Sequence, residues 1–135
     1  MYCLDTNVCI EFLRGNMPNV LKLMRASGPQ LFGVPTMVEA ELLVGAAKSA
    51  RPEENRLMVE RLLAPMERFP FGSVAAHHYG RIRASLELQG MVIGPNDLVI
   101  GATCLAEGAV LVTDNVREFM RVEGLQIESW AEVPL

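Results

Sequence analysis

The chain has 135 residues, half of them hydrophobic and 21% charged, with no low-complexity tract or repeat, so a single folded domain over 1–135 is expected rather than a disordered segment. A net charge of −4 argues against a general nucleic-acid coat, and three cysteines without CxxC or Cys/His spacing argue against a disulfide framework or a zinc site. The apolar runs are too short to cross a bilayer and no signal-peptide pattern opens the chain, so a cytoplasmic location is expected.

In chain order, YCLD (2–5) reads as a buried strand and NVCIEFLRG as a helix that stops at Gly15. NVLKLMRAS (19–27) carries apolar residues at 20, 21, 23 and 24 before a Gly-Pro stop, which fits a short helix. LFGV (31–34) is a second strand. Thr36 then opens a helix to about Ser49, with Thr36 and Glu39 at the spacing of a capping box. Pro52 opens another helix, and RFPF (68–71) reads as a third strand placed at a sheet edge by Pro70.

A long helix follows over 74–90, in which the adjacent His77 and His78 point in different directions and cannot form a metal pair. Asn96 is positioned to cap DLVIGATCLAEG (97–108), a helix apolar nearly all round. VLVT (110–113) is a fourth strand, NVREFMRV a short helix, and LQIESW contains a last strand. Apolar strands alternating with helices indicate an α/β protein with a mainly parallel sheet covered on both faces, whose ligands bind at the carboxyl ends of the strands.

That edge is where the aspartates fall. The chain has only three: Asp5 directly after the first strand, Asp114 directly after the fourth, and Asp97 in the first turn of the helix between them. Each has an ordinary structural explanation, as an N-cap for Asp5, turn chemistry for Asp114 and a helix-dipole partner for Asp97. Glu41 resists such an explanation, because it shares a helix face with Met37, Val38 and Val44 and has no Lys or Arg three or four residues away. Clustered carboxylates repel, and a divalent cation relieves that repulsion. An all-oxygen set favours Mg²⁺ or Mn²⁺ over zinc.

Four strings, LDTN (4–7), VEAELLVG (38–45), GPNDLVIGATCLAEGAVLVTDN (94–115) and REF (117–119), resemble in order and spacing those of the PIN-domain ribonucleases, most closely the VapC toxins of type II toxin-antitoxin pairs. The resemblance implies a three-layer α/β/α sandwich with a five-stranded, mainly parallel sheet and a metal-dependent endoribonuclease site. By position it implies Asp5, Asp97 and Glu41 as metal ligands, with Thr6, Asn7, Thr113 and Asn115 as supporting hydroxyl and amide groups. Asp114 and Glu118 both compete for the place of a fourth acid, since Asn115 stands where many PIN domains carry Asp. The resemblance further implies RNA cleavage, commonly of tRNA, to 5′-phosphate and 3′-hydroxyl ends, a cognate VapB-like antitoxin and a homodimer.

Arg14, Arg81, Arg83, Arg117 and Arg121 are candidates for the RNA backbone. Two other functions stand beside the nuclease. A haloacid-dehalogenase-like phosphatase also places Asp after its first strand, but needs a second Asp where this chain has Asn7. A PIN-like module that binds RNA or protein without cutting is the other, and retention of Asp5, Glu41 and Asp97 together speaks against it.

Overall fold

In the computed structural model the described residues are 1–28 and 31–130, without the side chains of residues 19, 20 and 23. The elements run β1 (Tyr2–Leu4), α1 (Thr6–Leu13), α2 (Pro18–Ser27), β2 (Phe32–Pro35), α3 (Thr36–Lys48), α4 (Pro52–Leu63), β3 (Glu67–Phe69), α5 (Ser73–Gln89), α6 (Pro95–Glu107), β4 (Val110–Val112), α7 (Val116–Phe119) and β5 (Ile127–Glu128). The apolar positions expected at Val20 and Leu23 on α2 lie outside the described side chains.

All five strands are parallel, in the order β3-β2-β1-β4-β5. Successive strand residues point to opposite faces of a sheet, yet Cys3 and Leu4 in β1, and Leu111 and Val112 in β4, are all fully buried. Helices therefore cover both faces, giving the expected α/β/α sandwich. From β1 the chain steps outward to β2 and β3, then returns to the other side of β1 for β4 and β5. The switch point lies between β1 and β4, and the crevice at their carboxyl ends is the natural ligand position.

Gly33 in β2 is required by packing. A Cβ there would stand 2.5 Å from Cε2 of Phe69 and 2.9 Å from the carbonyl oxygen of Glu67, so the neighbouring strand leaves no room for a side chain. β3 is an edge strand, as its proline predicts, although it ends at Phe69, one residue before Pro70.

Two capping expectations are corrected. Thr36 is the first helical residue of α3 rather than its cap, Pro35 occupies the cap position, and no side chain caps the helix. Glu39, freed from a capping box, pairs with Nε of Arg68 at 3.3 Å. Asn96 likewise does not cap α6. Gly94 is the cap residue and Pro95 takes the first turn, where its fixed φ suits the helix and its missing N–H costs nothing.

Candidate active site

Asp5 is placed by two elements at once. Its N–H donates to the carbonyl of Val112 at 3.0 Å, extending the pairing of β1 with β4 by one residue, while its carbonyl accepts the first α1 bond from Cys9 at 3.1 Å. Its Oδ1 accepts the N–H of Thr6 at 2.8 Å and its Oδ2 accepts the hydroxyl of Thr113 at 2.7 Å. Asp5 is thus an N-cap, as its ordinary explanation held, and also a buried carboxylate at the switch point. The two explanations are compatible because one carboxylate serves both ends.

From Asp5 a line of hydrogen bonds runs in both directions. On one side Thr6 Oγ1 donates to Glu41 Oε1 at 2.8 Å, tying α1 to α3. On the other, Thr113 Oγ1 accepts the N–H of Asn115 at 3.0 Å, Asn115 Nδ2 donates to Glu118 Oε2 at 2.9 Å, and Glu118 Oε1 accepts the N–H of Gly94 at 3.0 Å. The line ends at the cap of the helix that carries Asp97. Thr6, Thr113 and Asn115 all lie within it, whereas Asn7 is exposed and takes no part.

The electrostatics identify which acids are neighbours. Burial, then repulsion from Glu118, Asp5 and Glu41, push the Asp97 carboxyl up to about 6. Burial also raises Asp5, against the hydrogen bonds from Thr113 and Thr6, and repulsion from Glu41 and Asp114 adds to the rise. Glu118 moves the other way, held low by the Asn115 and Gly94 hydrogen bonds and by the charge of Arg121. No Lys or Arg forms an ion pair with Asp5, Glu41 or Asp97 among the described residues. Asp114 is exposed and accepts a hydrogen bond from Ser129 at 3.3 Å, so its side chain is turned toward the segment after β5. Cys9 lies close enough to feel Asp5, but burial followed by that charge pushes its thiol up to about 12, which keeps it protonated.

Gly94 is the residue whose part the sequence left unread. A Cβ on it would stand 3.9 Å from both Asp97 Oδ2 and Glu118 Oε1, so this glycine lies against two carboxylates while its amide anchors one of them. The Gly-Pro pair ahead of Asn-Asp was the available signal, since it marks a helix start that needs no side-chain cap.

Residues 2–125 match the family model described as the PIN domain, and the chain is 35% identical over 133 residues to the VapC2 ribonuclease of Rickettsia felis, across 96% of this chain and 98% of that one. The chain belongs to the PIN-domain family, among its VapC ribonucleases. A tRNA(fMet)-specific endonuclease VapC from Salmonella typhimurium is 36% identical over 129 residues, covering 96% of this chain and 97% of the relative. Among solved structures, the DNA-bound VapBC of Salmonella typhimurium superposes with a TM-score of 0.89 at 34% identity, over 96% of this chain and 97% of that one. VapBC2 from Rickettsia felis, bound to a DNA fragment from its promoter, gives 0.86 at 35% identity over 96% and 98%. The PIN sheet expected from the four sequence strings is the sheet observed, and a haloacid-dehalogenase-like assignment is set aside.

Proposed function

We propose that the chain, acting as a single PIN domain, is the toxin of a toxin-antitoxin pair: a Mg²⁺-dependent endoribonuclease, with Mn²⁺ able to substitute, that cuts RNA of the transfer class. The observation that supports it most is the meeting of Asp5, Glu41 and Asp97 at one strand edge, where each repels the others and no basic side chain pairs with them among the described residues. Transfer RNA enters through relatives that are named as tRNA(fMet)-specific endonucleases.

The donor set suits a hard cation, since every group in it is an oxygen. No group of three His, Cys, Asp or Glu side chains closes to metal-binding geometry among the described residues. That openness is compatible with Mg²⁺, which keeps several waters and is held through one or two carboxylates. Asp5 and Asp97 are the ligands proposed, with Glu41 joining directly or through water. When bound, the cation supplies Lewis acidity for activating water and neutralises charge at the phosphate.

The chain's own groups supply the rest. Thr113 and Thr6 favour the ionised form of Asp5 and fix its orientation, and Thr6 holds Glu41 on the opposite side. Water attacks the phosphorus in line, the P–O3′ bond breaks, and the departing oxygen leaves as a 3′-hydroxyl with the phosphate on the 5′ end. Glu118 fixes the Gly94 turn and through it the start of α6, and Asp114 contributes charge from the rim.

A VapB-like antitoxin is the proposed inhibitor, supported by the solved VapBC complexes. A groove of about 380 Å³ between α1, α3 and α4, lined by Ile10, Leu13, Leu42, Met58 and Val59, offers an apolar surface for such a segment. A homodimer and a cytoplasmic location belong to the same proposal, and no described helix is long and apolar enough to cross a membrane.

The test is cleavage of structured RNAs by purified, antitoxin-free protein in Mg²⁺, in Mn²⁺ and in chelator, beside Asp5→Asn and Asp97→Asn. Cleavage confined to the unsubstituted protein with a cation supports the reading. Cleavage that survives chelation or either substitution overturns it, and RNA bound but uncut in every condition favours the binding-only module.

A further inference from the structure

We propose a phosphate subsite for the RNA strand in the pocket between α5 and the turn after α7, with Arg81 and Arg121 as its cationic arms. The inference rests on the ribonuclease reading and adds to it a second place at which the substrate is held. The pocket has a volume of about 350 Å³, within the range of ligand-sized clefts. Its apolar lining is Ile82 and Leu86, both buried, and its polar lining includes Arg81, Ser85, Gln89 and Arg121.

An enzyme of net charge −4 whose site is built from carboxylates repels a polyanion unless positive charge stands nearby. Many of the arginines are already neutralised. Arg14, Arg51, Arg56, Arg68 and Arg83 each pair with a glutamate at 2.6 to 3.4 Å. Arg81 and Arg121 form no ion pair among the described residues, although Glu123 also lines the pocket. Arg81 Nη2 lies 3.1 Å from His78 Nδ1, and Arg121 Nη1 donates to the carbonyl of Val92 at 2.8 Å, which leaves further N–H groups on both guanidiniums. Ser85 Oγ accepts from Gln89 Nε2 at 2.9 Å and keeps its own proton to donate. Two guanidinium forks and a hydroxyl make a donor set matched to phosphate oxygens.

One arm of the pocket lies beside Glu118. Glu118, held low first by its Asn115 and Gly94 hydrogen bonds, also feels the charge of Arg121, and the Val92 carbonyl that Arg121 binds lies two residues before Gly94. Arg121 therefore links the pocket to the α5–α6 connection that leads into the helix carrying Asp97. The structure thus separates the five arginines considered from sequence. Arg14 and Arg83 are committed to Glu11 and Glu87, and Arg117 does not line the pocket.

The test uses Arg81→Gln/Arg121→Gln, with Arg56→Gln on α4 as a control for losing surface charge. Binding of a fluorescein-labelled single-stranded RNA is measured by anisotropy in an Asp97→Asn background between about 50 and 200 mM KCl, and kcat and KM are measured in the active protein. Loss of the one phosphate held by both arginines is expected to reduce the slope of log Kd against log salt by about 0.7 and to weaken binding roughly 10-fold at low salt. KM rises with kcat unchanged, and the control leaves both in place. An unchanged slope and KM overturn the subsite, as does a fall in kcat alone, which would assign the arginines to holding the Val92 loop. A change in oligomeric state with the RNA slope intact also overturns it, because the pocket would then face another protein. If the Asp97→Asn protein binds no RNA and the active protein cuts none, the ribonuclease reading itself has failed.

Discussion

Thr113 donates its hydroxyl to Asp5 across 108 positions of sequence, at 2.7 Å and fully buried, while accepting the N–H of Asn115 at 3.0 Å. One hydroxyl therefore joins the first and fourth strand ends and seats the turn into α7. Valine has the shape of threonine without the hydroxyl, so Thr113→Val leaves the Asn115 amide without its acceptor and is expected to cost about 1–3 kcal/mol in urea denaturation. It also removes a bond that favours ionised Asp5, so the acid limb of the pH-rate profile moves to higher pH. Thr113→Ser, which keeps the hydroxyl, should restore both. Equal losses in the Val and Ser variants would contradict the assignment.

Asp5 carries a structural load and a chemical one, and two substitutions divide them. Asp5→Asn keeps an oxygen for the Thr6 N–H and removes the charge, whereas Asp5→Ala removes the cap as well. Both are expected to lower cleavage by about 100-fold or more. Only Asp5→Ala should lose the further ~0.5–2 kcal/mol of a missing N-cap, read as a lower urea midpoint.

Asp97 makes stability depend on pH in a defined direction. Its carboxyl titrates near 3.8 when unfolded and about 6 when folded, so between those values the folded chain binds more protons. Stability from this group is present below 3.8 and is lost as pH rises through about 6. In chelator at a pH of about 7.5, Asp97→Asn should therefore melt a few degrees above the unsubstituted chain, and the gap should close as pH falls toward about 4. Adding Mg²⁺ should stabilise the unsubstituted chain and not the variant. A variant that melts lower under the same chelator conditions would show that the carboxylate is not under strain.

Glu118 can be tested for position against charge. Asn115 makes no other side-chain hydrogen bond among the described residues, so turning its amide lets the glutamine introduced by Glu118→Gln keep both the Gly94 and Asn115 contacts without a charge. If Glu118 acts by holding the start of α6, Glu118→Gln should retain cleavage within a few-fold while Glu118→Ala loses about 10- to 100-fold. The Gly94 amide resonance in a ¹⁵N spectrum should move in the Ala variant and stay near its place in the Gln variant. Equal loss of activity in both would assign Glu118 to charge instead.

Much of this was legible in the chain because strand runs and helix periods are local signals. YCLD, LFGV and VLVT each mark a strand, and the Asp after the first and the Asp in the helix before the fourth reach the same edge in the fold. The order of strands was not legible, since nothing local says that β4 returns beside β1. The capping box at Thr36 failed because Pro35 continues from β2 directly into the helix, which leaves Thr36 inside the first turn. Glu41 stands out in the sequence as an unpaired acid, but its Thr6 partner is 35 positions away and belongs to tertiary packing. The need for glycine at position 33 likewise depends on Phe69 of a neighbouring strand.

The chain's single tryptophan has a use that follows from where it packs. Trp130 is buried, with its ring centroid 4.9 Å from that of Tyr2 and 5.8 Å from that of Phe32, the first residues of the two adjoining strands β1 and β2. Tyr2 sits three residues, about 10 Å of strand, behind the carboxylate at position 5. Indole emission, excited at its red edge beyond the absorption of the two tyrosines, is thus an intrinsic optical gauge of sheet assembly with no second tryptophan to blur it. A red shift in any variant reports loosening of the sheet, and an unshifted spectrum beside lost cleavage locates the damage in the chemistry.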